Sequence, residues 1–301
     1  MFVIKYRKIF YTFSIILVLI SIASIYFYGL NLGIDFKGGA IVEMKYSKAP
    51  EISAIKTSVA SLSLGEFSVR QTGDTGIILR TRDLTEPERI SLTNILTATS
   101  TGEGAEIKRF DSVGPILGQE LAGKALWSII FVILAIVLFI TFAFRHVSKP
   151  VASWKYGVVA VIALIHDVVV PTGAFVLLGH FLGYEMDALF VTAVLVILGF
   201  SVHDTIVVFD RTRENLRHNH EGRNKKDFDT VVGESISQTF TRSINTSLTV
   251  LLSLLVLYFF GPETTQNFSL ALLIGITAGT YSSIFIGSPL LVTLEKFGSK
   301  K

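Results

Sequence analysis

The stretch ALFVTAVLVILGFSVHDTIVVFDRTREN, Ala188–Asn215, decides how the rest of the chain is interpreted. It begins as an apolar run long enough for a membrane-spanning helix, which needs about 20 residues. Asp204 lies inside this run, whereas the next charged residues, Asp210 and Arg211, follow its end. A carboxylate at membrane depth is energetically costly and typically faces the interior of a helix bundle, where it has a partner. Asp204 is therefore the first candidate functional residue.

The composition is that of a polytopic membrane protein. Of the 301 residues, 50% are hydrophobic and only 17% are charged, against about 25% charged residues in a typical soluble domain. The net charge of +3 gives no indication of a nucleic-acid-binding protein. Because the chain has no cysteine, it can form neither a disulfide nor a thiolate metal site, and it has no cysteine nucleophile.

Apolar segments of spanning length predict six transmembrane helices. The predicted spans are Ile9–Gly29, Ala125–Phe144, Tyr156–Gly179, Ala188–Phe209, Ser243–Phe260 and Phe268–Val292.

The first of these segments also has features of a secretory signal peptide, because Lys5, Arg7 and Lys8 precede an apolar core. However, its apolar run is nearer twenty residues than the length of a signal core, and the exit YFYGLNLG contains no A-x-A cleavage site. We therefore interpret it as an uncleaved transmembrane helix. Residues 1–29 form the first predicted region, residues 30–124 an external domain, and residues 125–301 the remaining spans with their loops.

Residues 30–124 predict a small α+β domain. Alternating or β-prone segments predict four strands, and a Thr-x-x-Glu capping box at Thr85 and Glu88 predicts the start of a helix. The strand–helix–strand–strand–helix–strand order is that of the ferredoxin-like fold. The predicted elements, in chain order, are strand 40–46, helix 50–62, strands 66–71 and 77–82, helix 85–98 and strand 106–113.

The basic residues of the short loops predict the orientation in the membrane. Lysine and arginine precede span one, lie between spans two and three and between spans four and five, and follow span six. The alternate connections, His180–Asp187 and Gly261–Asn267, contain neither. By the positive-inside rule, both termini are predicted to be cytoplasmic and the α+β domain to lie on the exoplasmic side.

The polar side chains of spans four and five predict a proton-coupling site. Asp204 lies roughly 24 Å along a helix that enters at Ala188, at 1.5 Å per residue, and Arg242 enters from the cytoplasm at about the same depth. A carboxyl group whose arginine partner approaches and withdraws would bind and release protons. The same face of span five carries Asn245, Thr246 and Thr249. These side chains either line a hydrated path or hydrogen-bond to neighbouring helices.

Two further titratable residues belong to this prediction. Asp167, near mid-bilayer in span three, is either a relay step or a cap for the helix that Pro171 interrupts. His203 lies beside Asp204 and is of the residue type that exchanges protons near neutral pH. It is either part of the proton site or a hydrogen-bonded packing residue. In span six, small residues recur at every fourth position, which predicts close packing against another helix; they are Ala271, Gly275, Gly279, Ser283 and Gly287.

At these residues the chain resembles the SecD/SecF family of bacterial protein-export membrane proteins, a branch of the resistance-nodulation-division superfamily, and within it the SecF branch. Five motifs in the family's order carry the resemblance over nearly the whole chain. They are GIDFKGG (Gly33–Gly39), VGP with a nearby glycine (Val113–Pro115, Gly118), His166-Asp167, GFSVHDTIVVFDRTREN (Gly199–Asn215) and TFTRSINTS (Thr239–Ser247).

The resemblance implies a subunit in the bacterial inner membrane that acts with SecD and uses the proton gradient to pull exported polypeptide from the SecYEG channel. The family's essential membrane carboxylate falls on Asp204 and its arginine on Arg242. The implied partners are SecD, the SecYEG channel, the translocating preprotein and membrane lipid, with protons as the coupling ion and no metal or other cofactor. Where the first helix meets the external domain, Gly33, Gly38 and Gly39 form either a hinge or a rigid turn, since glycine permits positive φ.

Two other function classes remain open from the residues. A proton-antiport half-transporter for small molecules or lipids would use the same aspartate and arginine, although the resemblance implies that exporters of this superfamily carry much larger external domains. An intramembrane aspartyl protease would use Asp167 and Asp204 as two carboxyl groups that share a proton, but neither lies in a Gly-x-Gly-Asp context.

Overall fold

The computed structural model describes residues 2–49, 51–98, 105–144, 152–222 and 225–298. Pro50, where a helix of the α+β domain is predicted to begin, lies outside these ranges. So do several basic residues of the orientation argument, which are Arg145, Lys149, Arg223, Lys300 and Lys301. In chain order the elements are α1 (Phe2–Lys5), α2 (Arg7–Tyr28), α3 (Ile34–Lys37), β1 (Gly39–Lys45), α4 (Ile52–Ala60), β2 (Ser68–Thr72), β3 (Gly76–Thr81), α5 (Glu86–Ala98), β4 (Glu106–Val113), α6 (Pro115–Ala143), α7 (Ser153–Leu182), α8 (Ala188–Glu221), α9 (Phe228–Phe260), α10 (Glu263–Ser282), a π-helical segment (Ser283–Gly287) and α11 (Ser288–Gly298).

The chain divides into two compact units. One comprises Met1–Asn31 and Trp127–Lys301, and the other comprises Leu32–Leu126. Among the residues that the structure describes, six helices are long and apolar enough to cross a membrane: α2, α6, α7, α8, α9 and the helix that α10 and α11 form together. The predicted fold class, six transmembrane helices with a small α+β domain between the first two, is confirmed.

The unit Leu32–Leu126, called the external unit after its predicted position, has the predicted ferredoxin-like order. Its four strands form one sheet in the order β2-β3-β1-β4, and every neighbouring pair is antiparallel. Alternate residues of β1 and β3 point toward α4 and α5, where Leu79 and Met44 join Ile55 and Leu92 in a fully buried core. The period-2 pattern of the strands therefore determines which face the helices cover.

The capping box at the start of α5 is present in part. The Thr85 backbone N–H donates to Glu88 Oε2 at 2.9 Å, and the Thr85 hydroxyl donates to the same oxygen at 2.8 Å. Arg82 adds a two-pronged ion pair to Glu88. These donors, with the arginine hydrogen bond as the largest cause, lower the pKa of Glu88 to about 2.

The connection between spans four and five is largely helical, because both helices continue beyond the predicted spans. Span four was predicted to end at Phe209 and span five to begin at Ser243, but α8 and α9 continue toward each other as an antiparallel pair. The reason is that the charged residues lie on the exposed face of each helix, while apolar residues such as Val232 and Ile236 are buried. The charges are thus features of an amphipathic helix.

The sixth span contains a π-helical segment that the sequence pattern did not predict. The Ser283 hydroxyl donates to the carbonyl of Gly279, and the Ser282 hydroxyl oxygen lies 3.0 Å from the same carbonyl oxygen. Pro289, which follows the segment, has no backbone N–H to donate. Both features weaken the regular ladder of α-helical hydrogen bonds at this point, and such local weakening accompanies π-bulges.

Candidate functional site

Asp204 is buried inside the membrane unit, next to α9. Its side chain is only 2% exposed, and Ser243 and Ser247 of α9 lie beside it. Neither Asp204 Oδ2 nor Ser243 Oγ has a hydrogen-bond partner in the described part of the chain. A buried carboxyl group whose neighbours are hydroxyls, and which forms no ion pair with a described residue, is able to gain and lose a proton.

Arg242 does not form an ion pair with Asp204 in this structure, and its side chain is exposed. The register of the two helices explains the separation. Arg211 Nε donates to Gln238 Oε1 at 2.6 Å, so these two residues lie at one level. Counting along both helices from that level, Asp204 is seven residues away and Arg242 four, so Arg242 lies about three residues, or ~5 Å, closer to it than Asp204.

His203 also has an exposed side chain, although it lies close enough to Asp204 to act on it electrostatically, as Arg242 does. The two basic groups therefore flank the carboxyl group from outside the bundle. Their part in proton coupling stays a prediction.

The polar stripe predicted on span five points away from the buried carboxyl group. Asn245 and Thr249 are exposed and Thr246 is partly exposed, and both threonine hydroxyls donate to carbonyls of their own helix. The side chains that face Asp204 are Ser243 and Ser247, one position further round the helix. The sequence contained a signal for them, because Ser235, Thr239, Ser243 and Ser247 recur at every fourth residue.

Asp167 is the centre of a second buried polar cluster. It is fully buried, and its Oδ2 accepts hydrogen bonds from the Ser201 hydroxyl of α8 and, at 2.7 Å, from the Ser282 hydroxyl of α10. Its Oδ1 lies 2.9 Å from Nδ1 of His166. The carboxyl group thus joins three spans, because its Oδ2 accepts from side chains of two other helices. A relay or a clamp requires such contacts, whereas a cap would bond to the backbone of its own helix.

The His166–Asp167 pair has room for one shared proton. The proton is either on Nδ1, which then donates to the carboxylate, or on Oδ1, which then donates to the imidazole. His166 Nε2 is buried and has no partner among the described residues. Asp167 is hydrogen-bonded to this histidine and two serines, and none of its bonds goes to Asp204.

Helix α10 lies between the two carboxyl clusters. Thr280 Oγ1 is 2.6 Å from Ser247 Oγ, which lies beside Asp204. Two residues further on, Ser282 contacts Asp167. The predicted small-residue packing is confirmed here, because a Cβ on Gly279 would lie 3.0 Å from the Cβ of Ser201.

The glycines predicted as a hinge lie in a tight turn of the external unit. Gly38 has φ 79° and ψ 161°, and a Cβ there would lie 2.8 Å from Pro115 Cα. Gly39 has φ 137°, and a Cβ there would lie 2.8 Å from Thr81 O. Gly33 is in an extended conformation open to any residue. The close packing explains why both glycines of the pair are needed, while a hinge motion stays a prediction.

Two family models match this chain. The model described as "Protein export membrane protein SecD/SecF, C-terminal" covers residues 93–297 and thus most of the membrane unit, and the "SecD/SecF GG Motif" model covers residues 23–50. The chain belongs to the SecD/SecF family. Within this family it is similar to the protein translocase subunit SecF of Thermobaculum terrenum, with 42% identity over 97% of this chain and 93% of the relative. The SecF of Sebaldella termitidis is 38% identical over 97% of this chain and 91% of that protein.

Solved SecDF structures share the fold of this SecD/SecF family member. The structure of SecDF from Thermus thermophilus, described as a translocon-associated membrane protein, matches with a TM-score of 0.83 and 28% identity over 97% of this chain. SecDF in its super-membrane-facing form matches with a TM-score of 0.66 over 99% of this chain. In both cases this chain spans 38% of the SecDF chain.

Proposed function

We propose that this chain is a SecF-type subunit of the bacterial protein translocase. In this role it resides in the inner membrane, acts with a SecD-type subunit and uses the proton-motive force to promote the passage of a preprotein through the SecYEG channel. Family membership and near full-length similarity to SecF proteins support this assignment.

The observation that carries the proposal is the state of Asp204. Its carboxyl group is buried, one oxygen has no partner among the described residues, and Arg242 lies nearby without forming an ion pair. Approach of the arginine would favour the ionised carboxylate, and its withdrawal would favour the protonated form. Each charge carried across the membrane potential corresponds to about 2.3 kcal/mol per 100 mV, which is the energy that the export step would use.

The outer surface of α8 and α9 supports a partner subunit within the membrane. Polar side chains that face lipid are unfavourable, and they are found where another helix or a water-filled cavity covers them. On this surface an arginine, a histidine and several small polar residues are exposed. The exposed residues are Thr192, Gly199 and His203 on α8, and Arg242, Asn245, Thr249 and Ser253 on α9. We assign this surface to contact with the SecD-type subunit, which would place Asp204, Arg242 and His203 near the boundary of the two subunits.

The proposed orientation has both termini in the cytoplasm and the external unit on the exoplasmic side. The charged hairpin of α8 and α9 supports it, as does the ion pair that Lys155 and Glu295 form at 2.7 Å between α7 and α11. Both lie at the basic side of the helices, which the positive-inside rule places in the cytoplasm.

The test is preprotein export into membrane vesicles that contain the complete translocase, with and without a proton gradient. Asp204→Asn and Arg242→Met are expected to abolish the gradient-dependent part of export at native abundance. Asp210→Asn is the matched control, because it makes the same substitution six residues further along α8 at an exposed position. Normal export by both site variants would refute the proposal. Gradient-driven transport of a dye by the purified complex without the channel would favour the exporter instead.

A further inference from the structure

The two carboxyl groups of the membrane unit are connected through one turn of α8. Ser201, whose hydroxyl donates to Asp167, lies three residues before Asp204, and both side chains are buried on the inner face of the helix. Close packing also fixes the axial position of this turn relative to α10, because Gly279 lies directly against Ser201. Any shift of Ser201 would therefore move Asp204 with it.

The π-helical segment begins directly after the other serine that Asp167 holds. Ser282 is the last residue of α10, and the π segment runs from Ser283 to Gly287. A π turn accommodates one residue more than the α-helix around it. Every residue after Gly287 is therefore displaced by about 1.5 Å and ~100° relative to a continuous α-helix.

This displacement determines which face of α11 is buried. Val292 is fully buried in a cluster that contains Ile284 of the π segment, Val208 of α8, and Val232 and Ile236 of α9. Val208 lies one turn beyond Asp204, on the cytoplasmic side.

The sixth span thus holds the turn of α8 before Asp204 and also the turn after it. One turn before it, Ser201 is tied through Asp167 to Ser282, ahead of the π segment. One turn after it, Val208 packs against residues within and beyond the π segment. The extra residue of the π turn allows both sets of contacts to form at once.

We propose that Asp167 is a positioning residue for Asp204. It holds Ser201 and Ser282 together and thereby maintains the π turn and the placement of the Asp204 turn in α8. This inference rests on the proposed function only in that Asp204 is the coupling carboxyl group; the clamp itself is a property of this chain and can be measured without export.

Cysteine labelling measures the clamp directly, because the chain has no native cysteine. Val292→Cys, in the complete complex, gives this chain a single buried thiol, and the reaction of this chain with a membrane-permeant maleimide reports rotation of α11. Loss of the hydrogen bonds to Ser201 and Ser282 is expected to raise the labelling rate at least ~10-fold in Asp167→Ala, since each such bond contributes a factor of about five. Ser282→Ala is expected to raise it as well. The matched control is Ser269→Ala, a fully buried serine of α10 whose hydroxyl bonds only to Thr265 O.

The pH dependence of gradient-driven export separates positioning from a merely structural role. If Asp167 positions Asp204, Asp167→Ala and Ser282→Ala shift the midpoint of the pH profile by roughly half a unit or more, whereas a loss of folded protein lowers the amplitude alone.

Asp167→Asn keeps a side-chain oxygen that can accept from both serines and is expected to restore the slow labelling. The titratable or charged groups that face the two carboxyl groups in the described chain are His166 on α7, His203 on α8, Arg242 on α9 and, beside His166, Tyr281 on α10.

The inference is overturned if Val292→Cys labels equally slowly in Asp167→Ala, Ser282→Ala and the parent, or if labelling rises while the pH midpoint stays fixed. Failure of the proposed function is a different result. In that case Asp204→Asn exports normally, and the labelling rates still decide whether the clamp exists.

Discussion

Replacement of Gly38 by alanine tests the structure of the glycine turn in the external unit. With φ 79° and ψ 161°, Gly38 occupies a region that is essentially restricted to glycine, and a side chain there costs about 1–3 kcal/mol. A Cβ would also lie 2.8 Å from Pro115 Cα, a backbone atom that cannot move alone. Overpacking of this kind costs about 1–3 kcal/mol more. The expected loss of ~2–6 kcal/mol is a large part of the ~5–15 kcal/mol that stabilises a typical domain.

Two control substitutions separate these contributions. Gly65→Ala meets a similar φ of 81° but open space, so only the backbone cost of about 1–2 kcal/mol applies. Gly123→Ala lies in α6 with no atom within 4 Å and is expected to be neutral or stabilising by up to ~1 kcal/mol. Pulse proteolysis of the external unit in urea, carried out on the membrane-embedded chain, measures all three. A Gly38→Ala variant no less stable than Gly65→Ala would refute the close approach to Pro115.

Three further substitutions test other contacts. Leu92→Ala, on the buried face of α5, is expected to destabilise the external unit by about 2–5 kcal/mol. Ile90→Ala, on the half-exposed face of the same helix, should change the urea midpoint little. Equal losses would contradict the assigned helix face. The pKa of Glu88, lowered to about 2, lies below its unfolded value, so its contribution to stability is present above about pH 4.3 and is lost as the pH falls toward 2. Urea midpoints of Glu88→Gln should therefore differ from the parent at pH 6 and approach it at pH 2, and a constant difference would argue against the arginine and threonine contacts. For the ion pair of α7 and α11, Lys155→Glu and Glu295→Lys should each lower thermal stability, and the double variant should recover part of the loss; additive losses would exclude a direct contact.

The six spans and the external fold were predictable because their signals are local. About twenty consecutive apolar residues predict a membrane helix wherever it packs, and the alternation in β1 and β3 is sufficient to place the helix-covered face of the sheet. The extended hairpin of α8 and α9 was missed because charges such as Arg211 and Arg213 were interpreted as loop residues. They lie on the exposed side of a helix whose buried side is apolar.

The buried carboxyl group of the candidate site was predictable from the sequence, but the residues around it were only partly predictable. Asp204 is recognisable because a carboxylate in an apolar run is rare. The serines that face it differ from the predicted stripe by one position, or about 100° of helix rotation, and no periodicity within α9 says which of two polar faces is internal. The partners of Asp167 come from residues 34 and 115 positions away in the chain. Such contacts depend on how the spans pack, and the π segment that accompanies them has no sequence pattern of its own.

Proton flux through the complex tests the central claim most directly. The complex is reconstituted in vesicles that contain a pH-sensitive dye, and a potential is imposed across the membrane. The account predicts flux in the parent and in Asp210→Asn, and its loss in Asp204→Asn, because the amide introduced by this substitution cannot take up the proton. Flux in Asp204→Asn equal to that of the parent would show that this carboxyl group does not carry the coupling proton.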